Sequence, residues 1–130
     1  MNDRQNVSSG GPWEDRIGYS RAVRVGNLVF VAGTTSAMPD GTIYGAGDAY
    51  AQTTRALETI RAALETAGAS LADVVRTRMF VTDMALSPEI GRAHGEFFRD
   101  IKPAATMVEV SALIDPEMLV EIEVDAVVRG

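Results

Sequence analysis

The stretch Leu119-Val120-Glu121-Ile122-Glu123-Val124-Asp125-Ala126-Val127 alternates apolar and acidic residues almost without a break. A period of two belongs to a strand, whose successive side chains leave on opposite faces. Wound as a helix, the same run would carry charge on every side and have no face to bury. Val120, Ile122, Val124 and Ala126 therefore line an inner sheet face, and Glu121, Glu123 and Asp125 the other. A sheet that is apolar on one side needs cover on that side only, which points to helices packed on one face.

The remaining segments supply that cover. Residues 17–25 and 28–32 read as two strands joined by Gly26-Asn27, a short hairpin turn. Asp48 caps a helix that runs to about Ala67, with Gly68 as its stop. Ala56, Leu57, Ile60, Leu64 and Ala67 form its buried stripe, while Arg55, Glu58, Arg61 and Glu65 form a charge ladder on the remaining surface. Residues 74–81 return to strand, with Val75, Thr77, Met79 and Val81 on one face and Arg76, Arg78 and Phe80 on the other. Ser87-Pro88-Glu89 starts a second helix ending near Arg99: capping Ser, Pro at the first position, an acid in the first turn. Residues 105–111 and 119–127 are the last strands. The order β-β-α-β-α-β-β gives an α+β domain over residues 13–130, with a mostly antiparallel sheet and two helices on one face. Residues 1–12 are polar, Gly/Ser-rich and aperiodic, and read as a flexible tail.

Composition narrows the function. A net charge of −6, with Lys102 the single lysine and the arginines scattered, argues against a nucleic-acid partner. With no cysteine, disulfides, thiol catalysis and thiolate metal sites are excluded. One histidine and carboxylates without ligand spacing predict no metal, and no cofactor is implied. No segment reads as a signal peptide or a membrane span, so the expected setting is cytoplasmic. Gly45-Ala46-Gly47 lacks the Lys and Ser/Thr of a phosphate loop and reads as turn chemistry feeding the Asp48 cap.

Pro103-Ala104-Ala105-Thr106-Met107-Val108-Glu109-Val110 together with residues 119–127 resembles the C-terminal signature of the Rid family (YjgF-like, reactive-intermediate deaminases, also labelled endoribonuclease L-PSP). Gly18-Tyr19-Ser20-Arg21-Ala22-Val23, Gly26-Asn27 and Val31-Ala32-Gly33 are similar to further family segments, in the same order. The resemblance covers the chain from about Trp13 to the end. It implies a chorismate-mutase-like fold, a homotrimer, and small-molecule clefts between subunits where imines or enamines are hydrolysed.

The resemblance also implies site residues. Glu121 falls where the family carries the Glu that positions water and exchanges a proton with the substrate nitrogen, a task suited to a carboxylate of raised pKa. Tyr19 matches a cleft-edge Tyr, and backbone groups near Gly33 and Thr106 would orient the ligand. In the Pro-x-Arg motif that clamps a substrate carboxylate, Ala105 stands at the Arg position. A charge-assisted hydrogen bond contributes about 1.5–3 kcal/mol, so its loss implies weak handling of 2-imino acids. Either the ligand lacks a carboxylate or another cation serves, with Arg21, Arg78 and Arg92 as candidates. Ala32 replaces a family Ser, and Gly91 a family Asn. His94, three residues beyond Gly91, shares its helix face and is a candidate ligand contact. A non-catalytic trimer that binds a metabolite or regulates a partner is the alternative reading. Glu123 and Asp125 have no family match and read as structural charges, paired with Arg76 and Arg78 or with solvent.

Overall fold

The structure is a computed structural model that describes residues 3–129. Its sheet has six strands in the order β1-β2-β3-β6-β4-β5: β1 (Arg4–Val7), β2 (Ala22–Val25), β3 (Leu28–Thr34), β4 (Val74–Val81), β5 (Ala104–Glu109) and β6 (Val120–Val127). Each pairing is antiparallel except β4 with β5, which is parallel. Helices α2 (Ala49–Thr66) and α3 (Ser87–Phe98) cover one face, and a single turn, α1 (Glu14–Ile17), precedes β2. The α+β architecture with two main helices on one sheet face is the one the strand pattern implies.

The alternating strand is central. Val120, Ile122, Val124 and Ala126 are buried, and they meet Leu57, Ile60 and Leu64 of α2. Val29 and Val31 of β3, Val81 of β4, and Ile90 and Phe98 of α3 complete this core. Burying each large aliphatic side chain contributes about 1.5–3 kcal/mol, so this face drives the fold. Asp48 caps α2 by accepting from the Ala51 N–H at 3.0 Å, and Gly68 follows with φ 84°, as its sequence position implies.

Four local expectations need correction. Arg4–Val7, read as part of a flexible tail, forms an edge strand on β2; Val7 is buried, and Asn6 donates to Ser20 Oγ at 2.8 Å. Residues 1–2 of that tail lie outside the described residues. Residues 17–25 are not one strand: Ile17 ends α1, Gly18 turns the chain at φ 93°, and pairing starts at Ala22. That left-handed conformation favours glycine, which has no Cβ to clash. In β4 a register shift between Val74 and Arg76 turns Val75 outward, so Val74 is buried in its place. Bulges of this kind have no composition signature. Ser87 is the first residue of α3 rather than its cap, because Asp83 already caps the 3-10 turn Met84–Leu86 that leads into it.

The uncovered face carries Glu123 and Asp125, both bonded by Arg78 Nη1 at 3.3 and 3.2 Å. Leu28, Phe30 and Val108 stand exposed on the sheet.

Candidate functional site

Glu121 occupies the second position of β6, opposite Phe80 of β4. On its other side, the register between β3 and β6 slips between Val31 and Thr34. The slip brings the backbone of Gly33 against the carboxylate. A Cβ built on Gly33 would stand 2.5 Å from Glu121 Oε2 and 3.0 Å from its Cδ. The absence of a Cβ at position 33 is what lets the carboxylate lie this close, and backbone conformation plays no part, because Gly33 is not at positive φ. Burial pushes the Glu121 carboxyl above its usual range; the positive charge of Arg21 pulls it back in part, and Glu123 adds to the rise.

Arg21 organises the opposite wall and is buried. Its Nη1 donates to the Gly33 carbonyl at 2.6 Å and to Thr34 Oγ1 at 2.9 Å. Its Nη2 donates to the Tyr19 hydroxyl at 3.2 Å, and its Nε lies 3.8 Å from Glu14 Oε2. Three of the five guanidinium protons are placed by hydrogen bonds, and the Nε–H is directed at a carboxylate. Burial alone would raise the pKa of Glu14. Hydrogen bonds from the Ser9 and Ser8 hydroxyls, with the backbone N–H groups of Ser9 and Gly11, outweigh that and hold it below its usual range. The turn α1 thus delivers a carboxylate that neutralises Arg21.

These residues border a cavity of about 350 Å³. Tyr19, Arg21, Gly33 and Glu121, with the hydroxyls of Ser9, Thr34, Thr35 and Thr59, supply its polar groups, and Pro12, Trp13, Ile17, Ala37, Ile114 and Met118 its apolar walls. The wall from the loop before β6 is held by Gln52 of α2, which is fully buried. Gln52 donates to Glu117 O at 2.9 Å and accepts from the Leu119 N–H at 2.9 Å.

Of the residues singled out in the sequence, Tyr19, Gly33 and Glu121 meet in this cavity, and Ala105, Thr106 and His94 do not line it. Ala105 pairs with Thr77 and Thr106 with Arg78, on the exposed edge strand β5, two strands away from β6. His94 Nε2 is 2.9 Å from Thr77 Oγ1, and its ring lies 4.8 Å from that of Phe98. Burial pushes its pKa below the ordinary value. Arg78 is bound to Glu123 and Asp125, and Arg92 lies over the Tyr50 ring at 3.9 Å. The sequence reading missed Glu14, Trp13, Thr34, Gln52, Ile114 and Met118. Glu14, Ile114 and Met118 lie in aperiodic segments, Gln52 and Thr34 are polar residues in periodic ones, and only Trp13, the single tryptophan, stands out. Among the described residues no group of three or more His, Asp or Glu could hold a metal ion.

Known proteins share this arrangement of strands and helices. The sequence profile of the family described as Endoribonuclease L-PSP matches residues 14–128. The chain belongs to this family. Rv2704 of Mycobacterium tuberculosis, described as a member of the YjgF/YER057c/UK114 family, is 54% identical, with a TM-score of 0.86 over 96% of this chain and 99% of that one. The YjgF gene product of E. coli is 29% identical, with a TM-score of 0.83 over 96% of this chain and 99% of that one. The 3-aminoacrylate deaminase RutC of Acinetobacter baylyi is 38% identical over 104 residues, 80% of this chain and 82% of that protein. The family match thus covers strands β2 to β6, both long helices and every side chain that borders the cavity from Tyr19 onward.

Proposed function

We propose that the protein is a homotrimer that hydrolyses an imine, enamine or related compound in clefts between its subunits. The observation that carries this reading is Glu121, a half-buried carboxylate of raised pKa held at a cavity edge against the backbone of Gly33. Such a group takes a proton from water as it attacks the C=N carbon and returns a proton to the departing nitrogen. The Tyr19 hydroxyl, oriented by Arg21, stands in the same cavity to hold the ligand. The name of one relative, 3-aminoacrylate deaminase, agrees with this chemistry. The nuclease in the family's description finds no support in a chain of net charge −6.

Two surfaces favour assembly. Leu28, Phe30 and Val108 are exposed on the uncovered sheet face. Strand β5 is an open edge in which Ala104, Ala105, Thr106 and Val108 are exposed, with none of the lysines or prolines that usually blunt such an edge. In a trimer, a neighbouring edge would bring Ala105, Thr106 and the region of His94 towards the cavity.

The test is ammonia release from imines or enamines generated in situ, by wild type and by Glu121→Gln. A loss of at least 100-fold in the variant, with the fold intact, is the expected result. Equal turnover in the two proteins would overturn the catalytic role and favour a metabolite-binding trimer.

A further inference from the structure

We infer that the Glu121 cavity takes a carboxylate-free nitrogen compound: an imine or its protonated form on an apolar substituent, with no acid group. The inference rests on the reading of Glu121 as the group that meets the substrate nitrogen, and it adds the substrate class.

Charge is the first argument. Arg21 is the sole cation bordering the cavity among the described residues. It faces two carboxylates, Glu14 and Glu121, so the buried set carries no surplus positive charge. Its two Nη1 protons are bound to Gly33 O and Thr34 Oγ1, and one Nη2 proton to the Tyr19 hydroxyl. The single Nη2 proton left over cannot form the two-pronged clamp that a carboxylate takes from arginine. The other two arginines weighed for this task are engaged elsewhere, Arg78 by Glu123 and Asp125 and Arg92 over Tyr50. Ala105 and Thr106 would bring no charge from a neighbouring edge. An anion entering the cavity meets Glu121, whose charge Arg21 offsets only in part because it also faces Glu14, whereas an iminium or ammonium group finds a counter-charge.

Shape is the second argument. Beside the polar groups of Glu121, Tyr19 and Arg21 and the hydroxyls of Ser9, Thr34, Thr35 and Thr59, the cavity has an apolar wall of Pro12, Trp13, Ile17, Ala37, Ile114 and Met118, and its volume of about 350 Å³ exceeds what a two- or three-carbon imine fills. Apolar walls of this extent stabilise a hydrocarbon substituent at about 25 cal/mol for each Å² buried. The reaction balances without a cofactor. Water adds to the carbon of the protonated C=N bond, and Glu121 receives the water proton and passes it to nitrogen. The C–N bond then breaks as the hydroxyl proton moves to the departing ammonia, giving a carbonyl compound and an ammonium ion.

Trp13 is the only tryptophan and borders the cavity, so its emission reports occupancy directly. The experiment titrates the protein with two probes that share a 3-methylbutyl chain, 3-methylbutylamine and 4-methylpentanoate, and follows Trp13 fluorescence. The amine is expected to bind at least tenfold tighter, and Glu121→Gln to bring the two within twofold. Equal or tighter binding of the carboxylate, or no response to either probe, would overturn the inference. Turnover separates it from the hydrolase reading. Acceleration of the imine derived from 3-methylbutylamine over the 2-imino acid derived from leucine supports both. Acceleration favouring the 2-imino acid overturns the substrate class and leaves the hydrolase standing. Amine-selective binding without acceleration of either leaves the ligand class standing and overturns the hydrolase.

Discussion

Gly33 and Glu121 are fitted to each other: a Cβ at position 33 would lie 2.5 Å from Oε2 at position 121. What a methyl group there meets is the end of a flexible side chain, not backbone, and Gly33 is not among the glycines of positive φ. The fold therefore tolerates Gly33→Ala, at a cost of about 1 kcal/mol for a modest overpacking. The carboxylate, in contrast, must swing away from the cavity. Turnover is expected to fall at least tenfold while the melting temperature moves by only a few degrees. Calorimetry and an ammonia-release assay on the same preparation check both halves.

The raised pKa of Glu121 has a consequence for stability. Its folded-state pKa lies above the ordinary 4.5, so the fold favours the protonated acid. The contribution is fully present below 4.5 and is lost as pH rises through the raised value. Glu121→Gln removes that loss. The variant is expected to melt higher than wild type at neutral and alkaline pH, with the difference closing as pH falls to about 4.5. Melting curves between pH 4 and 8 decide it; a variant less stable than wild type at pH 8 would mean that attraction to Arg21 outweighs burial.

The sequence carried the fold where periodicity speaks. The alternation of β6, the stripe of α2 and the Asp48 and Gly68 boundaries are repeated local signals, and all stand in the structure. It was silent where one tertiary contact decides. Arg4–Val7 has no strand pattern, yet Val7 is buried and its carbonyl accepts from the Arg21 N–H at 2.8 Å. Glu14 reads as an exposed acid in a polar stretch, and only the folded chain places it beside Arg21. Position Glu121 was legible through a family motif, whereas its raised pKa comes first from burial, which only the folded chain supplies.

Glu14 and Arg21 form a buried pair, and removing Glu14 leaves Arg21 with Glu121 as its remaining counter-charge and the hydroxyls of Ser8 and Ser9 without their acceptor. Losing hydrogen bonds to a charged group costs about 1.5–3 kcal/mol. Glu14→Ala is expected to lose about 2 kcal/mol at neutral pH by that reasoning, and to loosen the 8–14 segment that walls the cavity. The pKa of Glu14 is held below 4.5, so its contribution is present above that value and is lost as pH falls through the lowered one. Urea denaturation at pH 7 and again at pH 3 measures this: the gap between wild type and variant is expected to be wide at pH 7 and to shrink at pH 3.

Ala105 is exposed on β5, in register with Thr77, so a longer side chain there disturbs no core contact. In the proposed trimer this edge would approach a neighbour's cavity, and Ala105→Arg would deliver the free guanidinium that Arg21 cannot offer. A charge-assisted pair of ~1.5–3 kcal/mol corresponds to about a 10- to 100-fold gain in kcat/KM on 2-imino acids. Carboxylate-free imines are expected to gain nothing and to be hydrolysed somewhat more slowly, because the added cation repels an iminium. Parallel assays on imines from leucine and from 3-methylbutylamine, with light scattering to confirm the trimer, give the comparison. An intact trimer showing no gain on the leucine-derived imine would mean that the β5 edge does not reach the cavity. The fault would then lie in the proposed inter-subunit cleft rather than in the chemistry of Glu121.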